Sequence, residues 1–105
     1  MPAPVILTAS ELTEALSGLP GWAEAAGKLH KTYEFASFSE AFGFMTRAAL
    51  AAERMDHHPD WSNSYRTVRV DLVTRSAGGI TRLDLALAAE MEQLAPARPA
   101  STRST

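Results

Sequence analysis

The segment from Ser37 to Pro59 restricts what this chain can fold into more than any other. Ser37 and Glu40 have the spacing of a capping box, in which a hydroxyl and a carboxylate satisfy the unpaired amides at a helix start. Phe38, Ala41, Phe42, Met45, Ala48, Ala49 and Ala52 then recur at helical spacing. This predicts a helix from Phe38 or Ser39 to Met55 with one continuous apolar stripe that lies on a sheet. Phe44 falls off that stripe, which marks it as a candidate subunit contact, and the alanines at 48 to 52 suit close packing against another backbone. The helix has to stop before Pro59, because proline lacks a backbone donor and pushes the preceding residue, His58, towards extended geometry. His57 and His58 are therefore held side by side on a rigid loop. Read locally, such a pair also suits a solvated helix terminus, where cations favour the negative end of the helix dipole.

The flanks of this helix each offer a further helix and a pair of strands, without an internal sequence repeat. Thr8 and Glu11 form a capping box for a helix from about Ala9 to Ser17, whose Leu12, Ala15, Leu16 and Leu19 face the core and whose stop is Gly18 to Gly21. A short strand over 22–25 and a longer one over 28–36 follow, with a turn at Gly27. On the second strand Leu29, Lys31, Tyr33 and Phe35 share one face, and His30, Thr32 and Glu34 share the other, which makes His30 a surface residue. Beyond the histidines, strands are expected over 61–66 and 67–74 with a tight connection near Tyr65, because Val68, Val70 and Leu72 alternate with Arg69, Asp71 and Val73. Gly78 and Gly79 permit a loop with positive backbone angles. Thr81 and Asp84 then cap a last helix, with Ile80 and Leu85 placed as a hydrophobic staple and Leu83, Leu87, Met91 and Leu94 as its buried stripe. The order helix, two strands, helix, two strands, helix implies an α+β fold, a four-stranded antiparallel sheet with three helices on one face.

Composition narrows the function by exclusion. The chain has 105 residues, enough for one core, so a single domain over residues 1–95 is expected, with 96–105 a disordered tail too poor in large apolar groups to pack. A net charge of only −2 lacks the electrostatic footprint of a nucleic-acid binder. The absence of cysteine removes disulfides, thiol nucleophiles and thiolate metal sites. The first residues have no basic region before their short apolar run and nothing approaches the length of a membrane span, so a cytoplasmic protein is expected.

The run Ala41 to Ala49, the pair Ala52 and Glu53, the stretch Asp56, His57, His58, Pro59, Asp60 and Trp61, the run Ala77 to Thr81, and Asp84 to Ala88 together resemble the pterin-4a-carbinolamine dehydratase family. The resemblance covers roughly residues 8 to 95 at matching spacings and includes Gly21 and Trp22. It implies removal of water from 4a-hydroxytetrahydropterin to give quinonoid dihydropterin, with the pterin as substrate, no cofactor and no metal, and assembly as a homodimer or a dimer of dimers. It further implies His57 as general acid and His58 as the residue that holds and orients the ring. Asp56, Thr74, Arg75 and Ser76 would join them in binding substrate, with Glu53 and Asp84 in support. Imidazole suits the chemistry because it titrates near neutrality and can deliver a proton to a poor leaving group. Glu53 is equally a solvated helix-end carboxylate, and Asp84 is also the third residue of its capping box. Trp61 and Tyr65 match aromatic positions of the family, where sheet packing is expected.

One departure stands out. The family usually carries a third histidine after the threonine at the end of the fourth strand, and here Thr74 is followed by Arg75. Arginine stays protonated and can donate hydrogen bonds but cannot shuttle a proton. Reduced or one-face activity is one consequence, and selection of a carboxylate- or phosphate-bearing substrate by Arg75 and Ser76 is another. A non-catalytic interaction or assembly module on the same fold is the alternative function. A metal site built from Glu53, His57 and His58 is a third reading.

Overall fold

The computed structural model describes residues 4–96. Its elements run α1 (Ala9–Leu16), β1 (Ala23–Ala25), β2 (Lys28–Glu34), α2 (Phe38–Met55), β3 (Asp60–Ser64), β4 (Thr67–Leu72) and α3 (Arg82–Leu94). The expected order holds, with strand ends moved by one or two residues. The tail beyond Pro96 lies outside the described residues. Both outer capping boxes form, Thr8 with Glu11 and Thr81 with Asp84. At α2 the Ser37 hydroxyl accepts the Glu40 amide, while the Glu40 carboxylate also reaches back to the Ala36 amide.

The four strands form one antiparallel sheet in the order β1-β2-β4-β3. Its centre is the β2–β4 pair, in register at Leu29 with Leu72 and Tyr33 with Val68. Alternation puts Leu29, Tyr33, Val68, Val70 and Leu72 on the face covered by α2 and α3, and all five are buried. The opposite face carries His30, Thr32, Arg69 and Asp71. Between the strands of the second hairpin, Tyr65 turns the chain at φ 54° and is exposed, whereas Trp61 packs against the core. Sheet packing therefore describes Trp61 and not Tyr65.

The long helix buries a different arc from the expected stripe. Ala41, Phe44, Ala48, Ala51 and Ala52 face inward, and Phe38 and Phe42 are half exposed, their rings tilted against each other with centroids 5.6 Å apart. At 3.6 residues per turn the buried arc is rotated by roughly 70° from the stripe read off the sequence. The cause is tertiary. Phe44 packs against the stacked rings of Tyr33 and Phe35, at centroid distances of 4.8 and 5.1 Å, and has no exposed surface, so it is core and not a subunit contact. Burying such a ring contributes about 1.5–3 kcal/mol. The alanines beyond it let α3 approach through Leu87, Ala88 and Met91. Within α3 the buried positions are Asp84, Leu87, Ala88 and Met91, with Leu83 and Leu94 at the margin. The short helix α1 buries no residue fully and docks at the edge of the core through Leu12 and Leu16.

Lys31 lies on the covered face and is neutralised there. Its ammonium donates to Glu92 at 2.6 Å and to the Pro20 carbonyl at 2.8 Å, and sits 4.5 Å over the Tyr33 ring. Glu92 also accepts the Tyr33 hydroxyl and the Trp22 indole N–H. Burial, reinforced by the hydrogen bond and charge of Glu92, pushes the Tyr33 phenol well above its ordinary range. For Glu92 itself, burial acts to raise the pKa, but the donors Lys31, Tyr33 and Trp22 outweigh it and leave the carboxyl below its ordinary value. Gly21, at φ 84°, lets the lysine pass, since a Cβ there would stand 2.9 Å from Lys31 Cε.

Candidate active site

The histidine loop is built by the way α2 ends. Asp56 adopts the left-handed conformation at φ 51°, ψ 43°, the His57 amide donates to the Ala52 carbonyl at 3.0 Å, and the Asp56 amide donates to Glu53 at 3.2 Å. This is the Schellman arrangement, with aspartate where glycine is commonest. It turns the chain so that the adjacent histidines separate. His57 points inward and is 8% exposed, and His58 points outward.

Each imidazole meets its own carboxylate. His57 Nε2 lies 2.5 Å from Asp84 Oδ1, and Asp84 is wholly buried. The second Asp84 oxygen accepts the Thr74 hydroxyl at 2.8 Å and the Thr81 amide at 2.9 Å. Because Thr74 commits its one proton to Asp84, the 2.7 Å contact between the Thr74 and Thr81 hydroxyls has Thr81 as donor. Thr81 in turn accepts the Leu83 amide. Both Asp84 oxygens and both threonine hydroxyls of this buried chain thus have partners, as burial requires. The capping carboxylate and the histidine's partner are the same group. With Asp84 ionised, His57 carries its proton on Nε2 and leaves Nδ1 for another ligand. His58 Nε2 lies 2.8 Å from Glu53 Oε1, where both side chains are exposed.

A cavity of about 270 Å³ opens here, lined by Asp56, His57, His58, Val73, Thr74, Arg75, Ser76 and Leu83. It brings together the six residues expected to bind substrate. Asp84 lies behind His57, and Glu53 touches His58 rather than His57, although it precedes His57 by four residues, because the left-handed Asp56 breaks the helical phase. Glu53, His57 and His58 do not converge, and no three His, Asp or Glu side chains among the described residues are placed to hold a metal ion. Arg75 is the first residue of the turn closed by the Thr74–Gly79 bridge, and its guanidinium donates to both oxygens of Asp60 at 2.7 and 2.5 Å. Val73, Leu83, Thr81 and Asp60 were not picked out as site residues by sequence reasoning. Thr81 carried a signal only as a cap, and Leu83 only as an apolar helix position.

The profile of the family described as pterin 4 alpha carbinolamine dehydratase matches residues 5–94. The chain belongs to this family. A relative from Bradyrhizobium diazoefficiens, named pterin-4-alpha-carbinolamine dehydratase, is 53% identical over 95 residues, covering 89% of this chain and 95% of its own. Another of the same name, from Afipia carboxidovorans, is 59% identical over 83 residues, covering 77% and 83%. A crystal structure of a transcriptional coactivator/pterin dehydratase from Brucella melitensis superposes with a TM-score of 0.83 at 46% identity, covering 87% of this chain and 99% of that one. In this pterin-4-alpha-carbinolamine dehydratase family member, the cavity walls come from the end of α2, the turn after β4 and the first turn of α3.

Proposed function

We propose that this chain is a hydro-lyase that dehydrates 4a-hydroxytetrahydropterin to quinonoid dihydropterin. The observation that carries this is the His57 imidazole, which lines the cavity and is held at Nε2 by the wholly buried Asp84. His57 delivers a proton to the 4a oxygen, the C4a–O bond breaks, and a ring nitrogen lone pair closes the C=N bond as water leaves. The ring N–H proton released afterwards restores the balance. Asp84 stabilises the imidazolium before transfer and keeps the ring in one orientation. His58, with Glu53 behind it, holds the pterin with Asp56, Thr74 and Ser76. Arg75 stands where the family usually has a third histidine and cannot transfer a proton, so one 4a epimer is processed faster than the other.

The assay that tests this couples an aromatic amino-acid hydroxylase to the chain and follows loss of the 4a-hydroxy product. Wild type accelerates the dehydration, and His57→Ala lowers the rate by about 10² to 10⁴, the contribution of a general acid. In the same assay Arg75→His narrows the difference between the two epimers. No acceleration over buffer by wild type shifts the reading to a non-catalytic module. That second reading draws on α2, where Phe38, Phe42 and Leu50 are exposed apolar residues on the side turned from the core. They support self-association as a homodimer or dimer of dimers, here proposed for a cytoplasmic protein; no helix of the described residues is long and apolar enough to cross a membrane.

A further inference from the structure

Arg75 lines the histidine cavity, yet its guanidinium is bonded elsewhere. Its Nη2 donates to both carboxylate oxygens of Asp60, the first residue of β3, and Lys28 Nζ lies 3.8 Å from the same carboxylate. Asp60 is absent from the histidine cavity. It lines a separate cavity of about 290 Å³ on the open face of the sheet, beside His30, Arg69 and Asp71. Arg75 thus spans the rim between the two, and Asp60 is the anion that it already holds.

We propose that Asp60 is a positioning residue that sets specificity: by occupying the Arg75 guanidinium it withholds that cation from ligands, so the histidine cavity takes pterins with uncharged side chains and disfavours those bearing a phosphate or carboxylate. The proposal rests on the pterin reading of the cavity and turns the presence of Arg75 in an opposite direction from the simplest one. An unpaired arginine at a ligand cavity selects anions, because its fork of donors matches phosphate and carboxylate. Here a ligand anion has to compete with a carboxylate tethered in place, which acts at a high effective concentration. Asp60 also faces Asp71 directly across β3 and β4, where like charges repel, and the cations Arg75 and Lys28 beside one and the hydrogen bond between His30 and the other relieve that repulsion. This explains why the Asp60 side chain turns towards the Arg75 rim. The pair is solvated, with Arg75 72% and Asp60 43% exposed, so its effect is modest.

The test measures equilibrium binding by calorimetry, at low salt, of two stable probes: a 7,8-dihydropterin with an uncharged dihydroxypropyl side chain, and the same compound with a terminal phosphate on that chain. Wild type binds the uncharged probe more tightly. Asp60→Asn, which keeps the shape and removes the charge, raises the affinity ratio of phosphate probe to uncharged probe by about three- to fivefold, the scale of an exposed ion pair. Adding Arg75→Gln returns the ratio to near the wild-type value. A purely structural role for Asp60 moves both affinities together and leaves the ratio unchanged, which overturns the proposal. A ratio that rises as much in the double variant as in Asp60→Asn also overturns it, since the charge would then act without Arg75. Failure of both probes to bind wild type and variants alike instead removes the pterin reading itself, and this inference with it.

Discussion

His57 and His58 are neighbours in the chain and each pairs with a carboxylate through Nε2, yet the two pairs are different devices. Asp84 has no exposed surface and its two oxygens take three partners, a histidine, a threonine hydroxyl and a backbone amide. Glu53 is 78% exposed, and its Oε1 meets the His58 ring in solvent. In the first pair the carboxylate is fixed before any substrate arrives, and the imidazole is fixed by it. Water competes for every donor and acceptor in the second, and both side chains can move away. Preorganisation is therefore concentrated on His57, which supports the proposal that His57 transfers the proton while His58 holds the ring.

The strongest way to break this comparison is to remove each acid in turn. Asp84→Ala removes the N3 half of the capping box of α3 and leaves the His57, Thr74 and Thr81 donors without their acceptor in a buried place. Losses of about 1 kcal/mol for the cap and 1–3 kcal/mol for an unsatisfied buried group make a total of about 3 kcal/mol reasonable. Glu53→Gln changes stability by less than about 0.5 kcal/mol, as exposed pairs do. Urea unfolding midpoints with unchanged slopes measure both. Equal losses from the two variants would mean that burial does not separate the pairs.

How much of this was legible in the sequence depends on how local each feature is. The capping boxes at Thr8 and Thr81 involve residues three apart and form as read. The sheet follows from the alternation at Val68, Val70 and Leu72, which one covered face explains. The rotation of α2 was not legible, because Phe38, Ala41, Phe42, Phe44 and Met45 spread large and small apolar groups over nearly half of the circumference in its first two turns. The choice between Phe42 and Phe44 is made by Tyr33 and Phe35, which lie on another element. At the site, the residues were legible and their pairing was not. Glu53 stands four before His57, and nothing short of the left-handed Asp56 reveals that it meets His58. Asp60 belongs to the same problem, since its partner is fifteen residues away and reaches it only once β3 and β4 are paired and the turn after β4 is closed.

A third carboxylate sharpens the contrast by lying between the two extremes. Glu92 is 24% exposed and holds Lys31, Tyr33 and Trp22. Its pKa in the folded chain is below the ordinary value of 4.5, so between the two values the unfolded state binds more protons than the folded one. Stability therefore rises with pH across that interval. The contribution is fully present above about pH 4.5 and is lost as pH falls through the lowered folded value. Unfolding midpoints of wild type and Glu92→Gln measured from pH 6 down to pH 3 should converge, with wild type showing the steeper decline. Parallel curves would mean that the donors do not hold the carboxylate in its charged form.

The smallest effect concerns the residue that divides the two histidines. Asp56 holds a left-handed conformation that glycine adopts freely and alanine does not, a difference of roughly 1 kcal/mol. Asp56→Gly should preserve stability or raise it by a few tenths of a kcal/mol, and Asp56→Ala should lower it by about 1 kcal/mol. If the turn alone matters, the glycine variant also keeps His57 on Asp84 and retains dehydratase turnover. If the Asp56 carboxylate contributes to holding the pterin, the glycine variant keeps its fold and its His57 contact but raises KM, while kcat falls less. Comparing the two variants thus separates the backbone that splits the histidine pair from the side chain that lines the cavity between them, and only the second of these is a property of the site.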